Sequence, residues 1–282
     1  GIPASLRSVS NDLVRSAAEG NQDDLDRSLQ QARIPHVAWV EQLADTVEHV
    51  AAPFGPDHFE TKCGIKVRGA RIVDFFAPRI EADILDSTGD ILRVTALEDL
   101  DGGRINLYAY EEVHPLAWGS SILLRFEGSF GTVIPVIPGF IAALTFEDNE
   151  LVNVSYEPSV NSRRWDLYKD RADQVRRLRA VAASSSQHGR FRLDQADAIK
   201  VAKKMQHEKS IDPTLAIYAA YAYHDLQEIG RIGDMSGYLR GDIGITLFDL
   251  ELLSRRLIDK PVVPNDGIVP FIPLLSQGWA LL

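Results

Sequence analysis

The chain has 282 residues, 45% hydrophobic and 25% charged, a balance that excludes bulk disorder and leaves length for two domains or one large one. Its net charge of −10, from 30 basic and 40 acidic residues, argues against a broad nucleic-acid-binding face and for solubility. The lone cysteine, Cys63, excludes an internal disulfide and a four-cysteine zinc site, and no run approaches the roughly 18 apolar residues that span a membrane.

Together with the absence of a signal-peptide pattern, the cysteine usage predicts a reducing, cytoplasmic setting. The opening Gly1-Ile2-Pro3 reads as a processed start. Residues 8–51 read as helices: Ser10, Asn11 or Asp12 can cap the first, and Gly20 ends it. Asp23, Asp24 and Asp26 suit the positive end of a second, over 21–33. Val37, Val40, Leu43, Ala44 and Val47 then recur at helical spacing until Pro53, Gly55 and Pro56 interrupt the chain.

From about residue 61 the apolar period shortens to 2. Strands are expected at 65–67, 71–73, 84–85, 91–97, 105–110, 121–126, 132–136, 140–146 and 151–156, with Gly, Pro and Asp clusters between them. The gaps are too short for helical crossovers, so the strands are expected to run antiparallel, in a sandwich or a barrel.

Asn161 or Ser162 is the expected cap of a long helix to about residue 184, striped by Trp165, Tyr168, Ala172, Val175, Leu178, Val181 and Ala182. A helix follows from about Asp194. Asp212-Pro213, a capping acid before proline at the first helical position, opens the next. A last one is expected over 246–257. The expected layout is α+β: a helical N-terminal segment 1–56, an antiparallel β-sandwich or barrel 57–160, a domain of helical hairpins 161–260, and a Pro-rich apolar tail 261–282. So apolar a tail should pack on the body or continue into further chain.

Chemistry is sparse. Cys63 could act as a hydrolase nucleophile, with Lys62 lowering its pKa, but Thr-Lys-Cys-Gly-Ile matches no cysteine-peptidase signature. His49, His58, Asp57 and Cys63 lack metal-ligand spacing, and none of the seven histidines forms a helical zinc pair. Gly230-Arg-Ile-Gly233 and Gly241-Asp-Ile-Gly244 follow no strand and read as helix stops and turns. No catalytic, metal or cofactor-binding residue is therefore assigned. The one unusual charge feature is the segment 161–183, where seven bases against three acids give +4 and leave −14 elsewhere. Arg163, Arg164, Arg171, Arg176, Arg177 and Arg179 form either an internally paired face or an interaction surface for an acidic partner. The alternation of Arg with Asp favours the former.

Three stretches, residues 138–146, 152–158 (with Asn161 and Trp165) and 212–223, together with Pro273-Leu-Leu-Ser-Gln-Gly-Trp279, resemble the region after the peptidase domain in some bacterial caspase-family proteins. The resemblance covers roughly residues 58–282. It implies a non-peptidase portion that senses, restrains or recruits for a protease. The family's His–Cys dyad matches no position here. The expected function is a regulatory or recognition module acting through protein contacts, with a protease domain or its substrate as partner. The alternatives are a small-ligand sensor with a pocket between sheet and helices, and a stand-alone hydrolase using Cys63.

Overall fold

The computed structural model describes residues 63–76, 80–85, 103–109, 120–147, 149–187, 190–193, 195–259, 268–269 and 273–282. The helices expected over 8–51 and the strand over 91–97 lie outside these.

The first part is built from β1 (Gly64–Arg68), β2 (Ile72–Phe76), β3 (Ile80–Leu85), β4 (Gly103–Ala109), β5 (Ser120–Phe126), β6 (Phe130–Val136), β7 (Phe140–Glu147) and β8 (Glu150–Pro158). They form a five-stranded sheet, β3-β4-β1-β7-β8, and a three-stranded one, β2-β5-β6. No closed barrel forms among the described strands. Alternation places Ile122, Leu124 and Phe126 of β5 inward and leaves Leu123 and Arg125 outside. Aromatic contacts join the two sheets: the Phe146 ring lies 4.6 Å from that of Phe126 and 5.6 Å from that of Phe130. The Tyr156 hydroxyl on β8 donates to the Pro135 carbonyl on β6 at 2.6 Å.

One pairing departs from the expected antiparallel order. β1 and β7 run parallel, with Ile65 opposite Ala142 and Val67 opposite Leu144. The expectation assumed that a parallel crossover needs a helix. Here the intervening chain contributes the second sheet, which makes the crossover instead. Gly69 follows β1 at φ +75°, and a Cβ there would come within 2.0 Å of the Phe146 carbonyl oxygen, so the return after β1 demands glycine.

The helical part follows: α1 (Trp165–Ser185), a short hairpin of β9 (Ser186–Gln187) and β10 (Arg190–Phe191), α2 (Gln195–His207), α3 (Pro213–Asp225), α4 (Ile229–Asp242), β11 (Thr246–Leu247), α5 (Phe248–Leu253) and α6 (Arg256–Asp259). α1 begins two or three residues later than expected and has no side-chain cap. Ser162 instead accepts the Arg164 N–H and shapes the turn before it. Asp212 and Pro213 open α3 as expected. Every residue of α3 from Pro213 to Tyr223 is buried, its alanines admitting close neighbours.

The glycine-rich stretch after α3 is not a turn but α4. Ile232, Gly233, Met235, Ser236 and Leu239, three and four residues apart, are buried, and this tertiary burial overrides a glycine penalty of about 1 kcal/mol each. Gly233 packs where a Cβ would meet the Arg256 guanidinium at 3.0 Å, whereas Gly230, Gly237 and Gly241 face open space. Gly244, at φ +80°, is a genuine stop. The single helix expected over 246–257 is split. Thr246 and Leu247 are drawn into a parallel pairing with β12 (Ile268–Val269), and Arg255, at φ +63°, separates α5 from α6. Val269 and Leu275 of the tail are buried, while Trp279, Leu281 and Leu282 on or after its closing 3-10 turn (Gln277–Leu281) are exposed.

Candidate functional site

The densest polar chemistry in the described core grows from the α3 cap. The Asp212 Oδ1 accepts the N–H of Thr214 at 2.9 Å, its hydroxyl at 2.7 Å, and the N–H of Tyr156 at 3.3 Å. Oδ2 accepts from Arg179 Nε at 2.6 Å, and Arg179 Nη2 donates to the Tyr156 carbonyl at 2.5 Å. Asp212 is wholly buried and Arg179 is 5% exposed. Burial alone would lower the Arg179 pKa. The Asp212 carboxylate, with Tyr168 and Glu157 nearby, outweighs it and the net direction is up. Arg179 therefore stays charged, and its bonds to Asp212 and Tyr156 join β8, α1 and α3 at one point.

A second chain of contacts runs from the same helix into the five-stranded sheet. The buried Tyr168 hydroxyl donates to Glu157 Oε2 at 3.4 Å, and Glu157 Oε1 is paired with the buried Lys66 Nζ. The Tyr168 pKa is pushed up to about 12, first by burial and then by the Glu157 charge. Lys66 lies on β1 and Glu157 on β8, so this ion pair reaches across the intervening β7, where Ala143 lies opposite Lys66 and Ile141 opposite Glu157.

Cys63 sits at the start of β1, 3% exposed, its thiol donating to the Ile137 carbonyl at 3.5 Å. Burial pushes the thiol up to about 12, against a smaller lowering by the Gly64 backbone. A thiol that stays protonated at neutral pH and is closed to solvent has neither the charge nor the access a nucleophile needs. Burial likewise pushes the Tyr156 and Tyr168 phenols up and holds them protonated near neutrality.

The six arginines singled out along α1 do not gather. Arg163 and Arg164 both turn to Asp242 at the end of α4, at 3.5 and 3.0 Å. Arg171 meets the buried Glu208 at 3.5 Å, Arg176 meets Asp173 at 2.8 Å, and Arg177 is half-buried with an interaction of its own. Arg179 lies in the core and cannot belong to a surface. The helix spacing carried that signal, since position 179 falls four after Val175 and three before Ala182, inside the apolar stripe. Lys66 gave none: between Ile65 and Val67 on a strand, it reads as a solvent-facing residue. Glu208 was equally silent.

Outside the core one apolar feature stands apart. Phe76, Leu123 and Val133 occupy facing positions across β2, β5 and β6, on the outer side of the three-stranded sheet. They are 66%, 44% and 44% exposed. Alongside runs the Asp74–Arg125 ion pair at 3.1 Å, both partners open to solvent. Among the described residues no group of three His, Cys, Asp or Glu side chains is placed to hold a metal, and no helix is long and apolar enough to cross a membrane. No family model, curated protein or solved structure matches the chain.

Proposed function

We propose that this chain is a non-catalytic regulatory or recognition module that acts through protein contacts, as part of a larger bacterial caspase-like protein. In this reading the two sheets form an open sandwich, and the helical part is fixed to it through Arg179 and Asp212. The carrying observation is the row of Phe76, Leu123 and Val133, three large apolar side chains that folding leaves together on an outer sheet face. The state of Cys63 supports the same reading over a hydrolase. Where polar side chains converge, at Asp212, their bonds are satisfied by one another, which supports protein contact over small-ligand sensing.

The test uses the chain and a purified bacterial caspase-like peptidase domain, with binding and peptidase turnover both measured. The expected result is binding that Leu123→Asp and Phe76→Ser each weaken about thirtyfold, the loss of a hot-spot contact of about 2 kcal/mol. Both side chains are exposed, so the fold should survive the changes. A wild-type chain that neither binds the domain nor alters its turnover, or variants that bind as tightly as the parent, would overturn the proposal.

A further inference from the structure

The C-terminal residues 273–282 are held to the helical part by a small set of named contacts. Leu275 and Gly278 are buried, and Gln277 Oε1 accepts the backbone N–H of Phe191 on β10. The Gly278 backbone lies beside the Tyr221 hydroxyl on α3. That hydroxyl in turn donates to Asp249 Oδ1 on α5 at 2.8 Å. Asp249 is wholly buried, and among the described residues its second oxygen, Oδ2, has no hydrogen-bond partner. A buried carboxylate with one bare oxygen is an unfavourable place for a negative charge, whereas the neutral acid tolerates it.

The charged groups around Asp249 do not relieve this. Glu251, on the same helix, takes the Ser236 hydroxyl of α4 and faces Arg240 of α4 at 3.7 Å and Arg256 of α6 at 3.8 Å. Arg240 Nε also donates to Thr246 on β11. Arg240 and Arg256 are thus directed at Glu251. α3 offers Asp249 only the neutral phenol of Tyr221, and the tail segment brings the neutral Gly278 and Gln277.

We propose that Tyr221 and Asp249 form a proton-operated latch on the segment 273–282: the segment stays docked while Asp249 is protonated and loosens when the proton is lost. Opening the segment uncovers the Tyr221 hydroxyl and lets water reach the carboxyl behind it. In the docked state burial raises the Asp249 pKa to about 7, the Tyr221 hydrogen bond countering only part of this. In the open state an ordinary value of about 4 returns. The docked form then binds the extra proton between those two values. Opening becomes more favourable by about tenfold per pH unit from about pH 4 to about pH 7 and levels off above.

Hydrogen exchange of the whole chain, followed in peptides covering 273–282 and corrected for the intrinsic pH dependence of exchange, tests the latch. Wild type should lose protection about tenfold per pH unit between pH 5 and pH 7 and then reach a plateau. Asp249→Asn, which cannot ionise, should hold its protection across the range. A flat wild-type profile, or the same slope in Asp249→Asn, overturns the proposal. If the variant does not fold, the carboxyl carbon of Asp249 in wild type is followed by NMR. A midpoint near pH 7 shared with the Gly278 amide supports the latch, and one in the ordinary carboxylate range refutes it.

Discussion

Replacing Asp212 by alanine removes three things together: the counter-ion of Arg179, the cap of α3, and the acceptor for the Tyr156 N–H. Stripping one partner from a buried ion pair costs about 3–5 kcal/mol, because the other charge stays behind in the core. Loss of a helix cap adds about 0.5–2 kcal/mol. The two overlap, since one side chain supplies both, and a total of about 4–6 kcal/mol is expected. That is a large share of the roughly 5–15 kcal/mol that holds most domains together. Asp212→Asn keeps an acceptor for Thr214 and drops the charge, so it should recover the capping part alone. Arg179→Met leaves Asp212 buried and unpaired and should cost about as much as Asp212→Ala. Urea denaturation gives the stabilities, and a double-mutant cycle gives a coupling of about 2 kcal/mol or more if the two residues act as one unit. Because the pair ties β8 to α1 and α3, the parent should melt in one calorimetric transition. Single variants that each cost under about 1 kcal/mol, or a parent in which sheet and helices melt separately, would refute the reasoning.

Two further outcomes follow from particular contacts. Cys63 should resist alkylation in the native protein at neutral pH and react only on unfolding; Cys63→Ser, whose hydroxyl can still donate to Ile137, should cost no more than about 1–2 kcal/mol by denaturant midpoint. On α4, Gly237→Ala should stabilise by about 0.5–1 kcal/mol, since a Cβ there meets nothing, while Gly233→Ala should gain nothing or destabilise because of the Arg256 guanidinium; equal effects in thermal melts would mean that α4 is wrongly seated.

Strand positions were legible because a half-buried strand writes its two faces into alternate residues, and Ile122, Leu124 and Phe126 against Leu123 and Arg125 carry that pattern plainly. The α3 start was legible for a local reason too: an acid before proline satisfies the first helical N–H groups whatever surrounds it. The limits of this reading appear at α4. Local propensity makes a run of glycines a turn, yet the buried Ile232, Met235 and Leu239 hold it helical, a gain that exists only once α3 and α5 are in place. At the start of the long helix Trp165 and Tyr168 both pack toward the core as their place in the apolar stripe suggests, Trp165 part-buried with its ring 5.4 Å from that of Tyr168, and the buried Tyr168 reaching Glu157 on the sheet.

The sequence by itself determined the strands that alternation marks from β1 to β8, the helices α1, α2 and α3, and that Asp212 caps α3, because those choices rest on neighbours a few residues away. Only the tertiary structure decided that β1 and β7 run parallel, that Arg179 pairs with Asp212, and that Lys66 meets Glu157. It also decided that Phe76, Leu123 and Val133 share one outer face, and that Asp249 lies behind Tyr221 beneath the tail. Each of these joins residues 10 to 91 positions apart, and a charge or an apolar side chain looks the same in sequence whether its partner is water or another part of the chain.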